Sequence, residues 1–366
     1  MPLIDGPMDE STPWLIEELK SRFIAMDNGF IYDKNHDQPT WCMTVSGFER
    51  WFSTVESCLD QTLGRRLAHA AAESEEWHWT ASPPLPKSWL GQTKKRIARI
   101  NTDWNQRGLG QLGVLESENE SSTILVANRA FTPIAAGIGN AAWECIQERR
   151  YRFQWSDRGS GETVVEMTPD AREIPKPNQI LPAWVDQSAN ACSDERIFHR
   201  ARFEIEGLWT VEGNRAMMLS RDCLLRFEDL ATSYLSNTER STDSRTTWLG
   251  IESHEQTVLW DAMAEAARQQ FLASGELVLI ASPDHWLDVS MRYLSMQGLG
   301  RVFQSNSVDE NGGVEIMLSA ALHPAIVTGR LLGCWERAEG RSAKAEWTST
   351  KDGHRIIIQN RRDIAS

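Results

Sequence analysis

The sequence predicts an α/β (α+β) protein built from two duplicated mixed α/β sandwich domains, and three observations predict it. Residues 132–161, "TPIAAGIGNAAWECIQERRYRFQWSDRGSG", and residues 324–353, "PAIVTGRLLGCWERAEGRSAKAEWTSTKDG", share one pattern. Ile134, Gly137, Trp143, Glu144, Arg149, Trp155 and Gly161 fall in the order and spacing of Ile326, Gly329, Trp335, Glu336, Arg341, Trp347 and Gly353. Two matched Trp–Trp pairs at one spacing mark an internal duplication. The chain, at 366 residues, also exceeds the usual size of a single core. Finally, helix-period and strand-period segments alternate in the same order in both halves.

After an acidic lead over residues 1–18, "RFIAMDNGFIYDKN" reads as two strands around a turn, with Asn28-Gly29 as the hairpin signal. The matching stretch of the second half is "RFEIEGLWTVEGNR", where Glu212-Gly213-Asn214 repeats the turn chemistry. Helical segments follow: "SGFERWFSTVESCLDQTLGRRLAHAAAESEEW" in one half, "CLLRFEDLATSYL" and "EQTVLWDAMAEAARQQFLASG" in the other. In the last of these Val258, Ala262, Ala266 and Phe271 recur at near-helical spacing. A further helix ends at "RGLG" and at "QGLG", glycine pairs that suit a helix stop before a strand. "ESSTILVANRAF" and "GGVEIMLSAALH" read as half-buried strands. The repeated helix comes next, then two closing strands: "YRFQWSDRG" with "ETVVEM", and "AKAEWTSTKDG" with "RIIIQN". Residues 19–168 and 201–366 are thus two units of about 160 residues, a usual domain size. Residues 169–200 are Pro-rich, lack sustained periodicity and read as a linker.

Composition narrows the function. A hydrophobic share of 41% and 16 Trp suffice for folded cores. The N-terminus has neither a basic n-region nor an apolar h-region, and no apolar run reaches the roughly 18 residues of a membrane span. The expectation is a soluble cytoplasmic protein. Cys42, Cys58, Cys145, Cys192, Cys223 and Cys334 form no Cys-x-x-Cys pair, as suits isolated thiols in a reducing compartment. A net charge of −13 opposes nucleic-acid binding, which needs a cationic face. The basic cluster "KKRIAR" reads as a solvated helix face.

No motif supplies catalytic chemistry. "GLGQLG" satisfies G-x-G-x-x-G, but it lies after a helix and before a strand, and "GLGRVF" lacks the third Gly. The dinucleotide fingerprint needs the opposite order, so that a helix N-terminus meets the pyrophosphate. His78 in "EEWHWT" and His285 in "PDHWL" each stand beside a Trp without further ligands at metal-binding spacing. Neither a metal nor another cofactor is therefore expected. Glu144 and Glu336 lack a base or orienting partner, so each reads as a helix-surface salt bridge. Gly137 and Gly139 read as permitting close approach of their helix to its sheet, and Trp143 and Trp335 as core residues.

Three features together resemble the 4-vinyl reductase-type ligand-binding domain and the segment that precedes it in activators sensing aromatic compounds. They are "EGLWTVEGNRAMMLSRDCLLRF", the "GLG" turn with its apolar strand, and "TPIAAGIGNAAWE" with the two final strands. The resemblance spans nearly all of both halves, on short motifs. It implies an α/β sandwich related to nitric-oxide sensor domains and transport-tether subunits. It also implies either an apolar pocket between helices and sheet or helical faces used for pairing. Members that bind zinc carry cysteines around the last two strands, and "YRFQWSDRGSGETVVEM" and "AEWTSTKDGHRIIIQ" have none.

The leading expectation is a non-enzymatic tandem module, a sensor or adaptor whose halves pair as an intramolecular pseudo-dimer and bind a small apolar ligand, a protein partner or a further copy. The alternatives are an enzyme or accessory factor acting on a tetrapyrrole-like or aromatic molecule, and a scaffold whose pockets are filled by its own side chains. The resemblance places a ligand against Trp209, Met217, Met218, Tyr293 and Trp335. Adaptable Met and flat aromatic surfaces suit an apolar molecule, and Tyr adds one orienting hydrogen bond.

Overall fold

A computed structural model describes residues 11–87, 91–118, 121–172, 175–194 and 196–361. The first half runs α1 (Pro13–Arg22), β1 (Phe23–Ala25), β2 (Ile31–Asp33), β3 (Gln38–Thr44), α2 (Val45–Leu59), α3 (Gly64–Ala81), α4 (Gln92–Arg107), β4 (Gln111–Ser117), β5 (Ser122–Ala127), α5 (Thr132–Gln147), β6 (Tyr151–Arg158) and β7 (Glu162–Pro169). The second half runs β8 (Ala201–Ile205), β9 (Leu208–Val211), β10 (Asn214–Ser220), α6 (Arg221–Thr232), β11 (Thr246–Leu249), α7 (His254–Ala273), α8 (His285–Tyr293), β12 (Gly300–Ser307), β13 (Val314–Ala321), α9 (Pro324–Glu339), β14 (Ala343–Thr350) and β15 (Gly353–Asn360). The two lists differ by α1 at the start and by β11.

Local chemistry accounts for the matched starts and stops. Thr44 Oγ1 accepts from Gly47 N (3.1 Å) to begin α2, and Ser220 Oγ accepts from Cys223 N (3.3 Å) to begin α6. Pro133 and Pro324 occupy the first turns of α5 and α9, where a missing N–H costs nothing. The turn equivalent to Asn28-Gly29 is Glu206-Gly207 between β8 and β9, whereas Glu212-Gly213 belongs to the next turn, between β9 and β10.

Three sheets result. One is shared, in the order β1-β2-β3-β10-β9-β8, with β3 and β10 paired antiparallel at its centre from Ala216↔Thr44 to Ser220↔Thr40. The others are β4-β5-β7-β6 and β11-β14-β15-β13-β12. Helices interleave in the same reciprocal sense, α2 packing on α7 and α3 on α6, while α5 and α9 pack on α3 and α7.

Glycines report how tightly the halves interlock. A Cβ on Gly29 would lie 2.4 Å from the carbonyl of Gly300, and one on Gly207 would lie 2.5 Å from that of Gly110. Each hairpin turn therefore seats on the glycine turn of the other half. Both turns take positive φ, at 85° and 78°, which glycine adopts without steric cost.

A large core fills the space between helices and the two outer sheets, and a small second core lies under α1 on the opposite face of the shared sheet. No helix of the described residues is long and apolar enough to cross a membrane.

Candidate functional site

The five residues expected around one ligand belong to two cores. Trp209 and Met218 lie in the small core with Leu15, Leu19 and Phe198, whose ring stands 6.0 Å from that of Trp209. Met217, Tyr293 and Trp335 lie in the large one. Neighbouring residues on a strand point to opposite faces, so Met217 and Met218 are separated by β10 itself. The Tyr293 hydroxyl donates to Leu277 O (2.6 Å) and the Trp335 indole to Gly312 O (2.7 Å). Both polar groups are thus engaged by the chain. Trp143 and Trp335 are each 1% exposed.

Gly137 and Gly139 do different work from each other. A Cβ on Gly139 would touch Ile124 and Val126 of the sheet at 3.1–3.3 Å, as a helix pressed on its sheet requires. A Cβ on Gly137 would fall 2.0 Å from Ala68 O of α3, and one on Gly329 would fall 2.0 Å from Ala264 O of α7. This second contact is between helices.

Glu144 and Glu336 are more than surface ion pairs. Each accepts from the first backbone N–H of the following strand, Tyr151 N at 2.7 Å and Ala343 N at 2.8 Å, and each pairs with an arginine, Arg150 or Arg268. They close the same helix-to-strand corner twice. In "KKRIAR", Lys94 and Lys95 are exposed while Arg96 is buried. Arg96 donates to Ile146 O (2.5 Å) and Glu148 (2.7 Å) at the end of α5, where the helix dipole favours a cation.

An aromatic box fills the second half. Trp260 stands edge-on to Trp248, Trp347, Trp184 and His323 at 5.2–5.9 Å. Trp184 comes from the segment between the halves and donates to Ala321 O (3.2 Å). Two residues on, Asp186 accepts from His354 Nε2 (3.0 Å), Ala321 N (3.1 Å) and Arg221 (2.5 Å). Gln187 adds bonds to Ser319 O and Lys351 O. The segment is therefore a strap fastened to the second half. Beneath it lies a cavity of about 260 Å3 lined by Ile180, Trp184, Leu225 and Glu228. Burial would raise the Glu228 carboxyl, but His323 at 2.9 Å and the Trp260 and Gln256 donors outweigh it and hold it low.

In the first half a buried charge network joins α1, the β2–β3 turn, α3 and α4. Arg22 pairs with Asp33 (2.8 Å) and Asp103 (2.9 Å), and Arg107 pairs with Asp103 (2.6 Å) and Glu75 (2.8 Å). Glu75 Oε1 also accepts from the indoles of Trp79 (2.9 Å) and Trp104 (2.8 Å). His36 stacks on His78 with ring centres 4.1 Å apart, and His78 meets the Gln38 amide. Burial and the neighbouring His36 push His78 down to about 4. Burial opposes ionisation of Glu75, yet Arg107 and His78 prevail and hold it well below the carboxylate range. Such a network ties four elements together and leaves no carboxylate unpaired.

A third feature is a cavity of about 470 Å3 between α2, α7, α9 and residues 239–246, lined by Cys58, Leu59, Val258, Ala262, Glu265 and Leu332 among others. None of the five expected ligand residues lines it or the cavity beneath the strap.

The chain matches no protein-family model, and no curated protein and no solved structure is detectably similar to it.

Burial raises the thiols of Cys42, to about 12, and of Cys223 and Cys334, which removes the thiolate a nucleophile needs. Among the described residues no group of three or more His, Cys, Asp and Glu is placed to hold a metal. "GLGQLG" spans the end of α4 and the start of β4. Sequence reasoning missed Trp184, Asp186, Glu228, His323 and His354. The one available signal was "AWVD", a Trp and an acid inside a Pro-rich stretch.

Proposed function

We propose that the chain is an internally duplicated, non-enzymatic interaction module, the single-chain counterpart of a dimer of 4-vinyl reductase-type domains. The observation that carries this reading is the reciprocal exchange. Each half lends its hairpin to the other, β3 pairs with β10, and each hairpin turn seats on the other half's glycine turn. An isologous pairing surface is consumed inside the chain. The places where relatives would hold a ligand carry packed Trp, Met and Tyr, so the outer sheets and their edges remain for partners. A net charge of −13 favours a protein partner over nucleic acid.

The cavity of about 470 Å3 favours a second reading, a small-molecule sensor, because its wall mixes Leu and Val with Glu265, Asp261 and Arg245. Native mass spectrometry of the protein from its own source separates the two. The interaction reading expects the bare chain or a complex with a second polypeptide. A stoichiometric small molecule retained by the folded chain would overturn it in favour of the sensor.

A further inference from the structure

The two outer sheets differ at one edge. In the second half β11 lies parallel against β14, pairing Thr246↔Ala345 through Leu249↔Thr348. In the first half β6, the counterpart of β14, pairs with β7 alone among the described residues. The cause is written in the connections. Residues 233–253 join α6 to α7 and contain β11, whereas only residues 60–63 join α2 to α3.

The helix facing this edge differs in step. The contacts of Gly137 with Ala68 and of Gly329 with Ala264 align α3 with α7. In that alignment Gly64 stands where Trp260 stands, Arg65 where Asp261 stands, and His69 where Glu265 stands. Asp261 is the acceptor that holds the β11 segment: Arg240 (2.6 Å), the Thr246 hydroxyl (2.6 Å) and the Trp248 indole (2.8 Å) all donate to it. In the first half the corresponding group, Arg65, is an exposed cation that lies 5.9 Å above the Trp155 ring. Burial of part of its ring, Arg66 and Arg65 push His69 down, and the ring stands edge-on to Phe153 at 5.3 Å. Trp155 and Phe153 are only half-buried, whereas Trp347 and Ala345 under β11 are buried. A Cβ on Gly64 would meet only Pro133, at 3.6 Å.

We propose that the β6 edge is a docking slot for an extended segment of a partner protein. The segment adds parallel to β6, lays an aromatic side chain beside Trp155 over Gly64, and presents a carboxylate to Arg65. The occupant's class is read from the chain's own β11, with the charge reversed because the acid on α7 is a base on α3. Main-chain pairing supplies affinity, and the aromatic and acidic positions supply specificity, as in other strand-addition sites. The inference rests on the interaction reading above and gives it a place and a partner chemistry.

The test uses the full-length protein and two fluorescent peptides. One copies residues 240–250 with glutamate in place of Arg240, whose partner Asp261 is replaced by Arg65 in the first half, and the other keeps that arginine. The acidic peptide is expected to bind roughly tenfold or more tightly than the basic one, as charge complementarity at a partly exposed site allows. It is also expected to slow hydrogen exchange in residues 151–158. Arg65→Glu should reverse the preference between peptides, a result that a merely unfolded variant cannot give. Gly64→Trp should abolish binding of both by filling the slot. Equal binding of the two peptides, no binding, or exchange protection elsewhere with β6 unchanged would overturn the slot. A retained small molecule in native mass spectrometry would instead overturn the interaction reading, so the two failures are distinguishable.

Discussion

A methyl group added at Gly137 would lie 2.0 Å from Ala68 O, and one at Gly329 would lie 2.0 Å from Ala264 O. The obstacle is helix backbone, which cannot swing aside, so Gly137→Ala and Gly329→Ala should each destabilise by about 1–3 kcal/mol, the usual cost of overpacking. Gly139→Ala meets flexible methyl ends and should cost less. Urea midpoints of the three variants check the order, and equal midpoints would show that the helices move apart freely. His78 gives the pH dependence. Its pKa falls from 6.5 to about 4 on folding, so between those values the unfolded chain binds more protons than the folded one and stability declines as pH falls. Glu75, also lowered, adds loss at lower pH in the same direction. Urea midpoints should therefore drop from pH 6.5 to 4, and less so in His78→Gln; identical slopes would assign the loss elsewhere. At this scale the matched Gly and Trp positions were legible because each must satisfy a local steric demand twice. Placing Met217 and Met218 against one ligand overlooked the period of two that sends adjacent strand residues to opposite faces. The stacking of His36 on His78 and their contacts with Arg22, Asp103 and Gln38 were not legible, because those residues come from elements distant in sequence.

The strap over residues 175–194 shows why element-level reading stopped short. Proline and the absence of periodicity exclude helix and strand, but they say nothing of whether a segment is tethered. Here the tethers are side chains: Trp184 enters the aromatic box and Asp186 bridges His354, Arg221 and the Ala321 amide. β11 escaped notice for a related reason. "TTWL" is too short for a periodic signal, and its strand character comes from pairing with β14. Replacing Trp184 with Ala removes a buried indole and its bond to Ala321 O. The expected cost is about 3–5 kcal/mol for full aromatic truncation. Loss should concentrate in the strap, read as faster proteolysis within residues 175–194 while β13 and β15 stay protected from hydrogen exchange. Unchanged cleavage would mean that Asp186 and Gln187 hold the strap without the ring.

For the whole molecule, the hairpins, the later helices and the closing strands of each half followed from the sequence, while α1, β3, β11 and the exchange between the halves did not. Either half, read alone, can close its hairpin on its own glycine turn; the choice of the other half's turn depends on geometry between distant segments. The exchange has a mechanical consequence. Cutting the chain between the halves severs one covalent link but leaves β3 paired with β10, α2 packed on α7 and α3 on α6. A protease site inserted at the exposed Ser188, between the strap's bonds to the second half at Gln187 and to Asp27 of the first half at Asn190, should yield fragments that co-elute as one particle. They should also unfold in one cooperative transition at a midpoint that depends on concentration, as an obligate heterodimer does. Either fragment made alone would expose the shared sheet's central edge and half of the interleaved helices, and should be insoluble or unfolded, while co-expression restores the pair. Independent folding of both fragments, with separation on dilution, would show that the hairpins return to their own halves and that the interlock is not needed for stability.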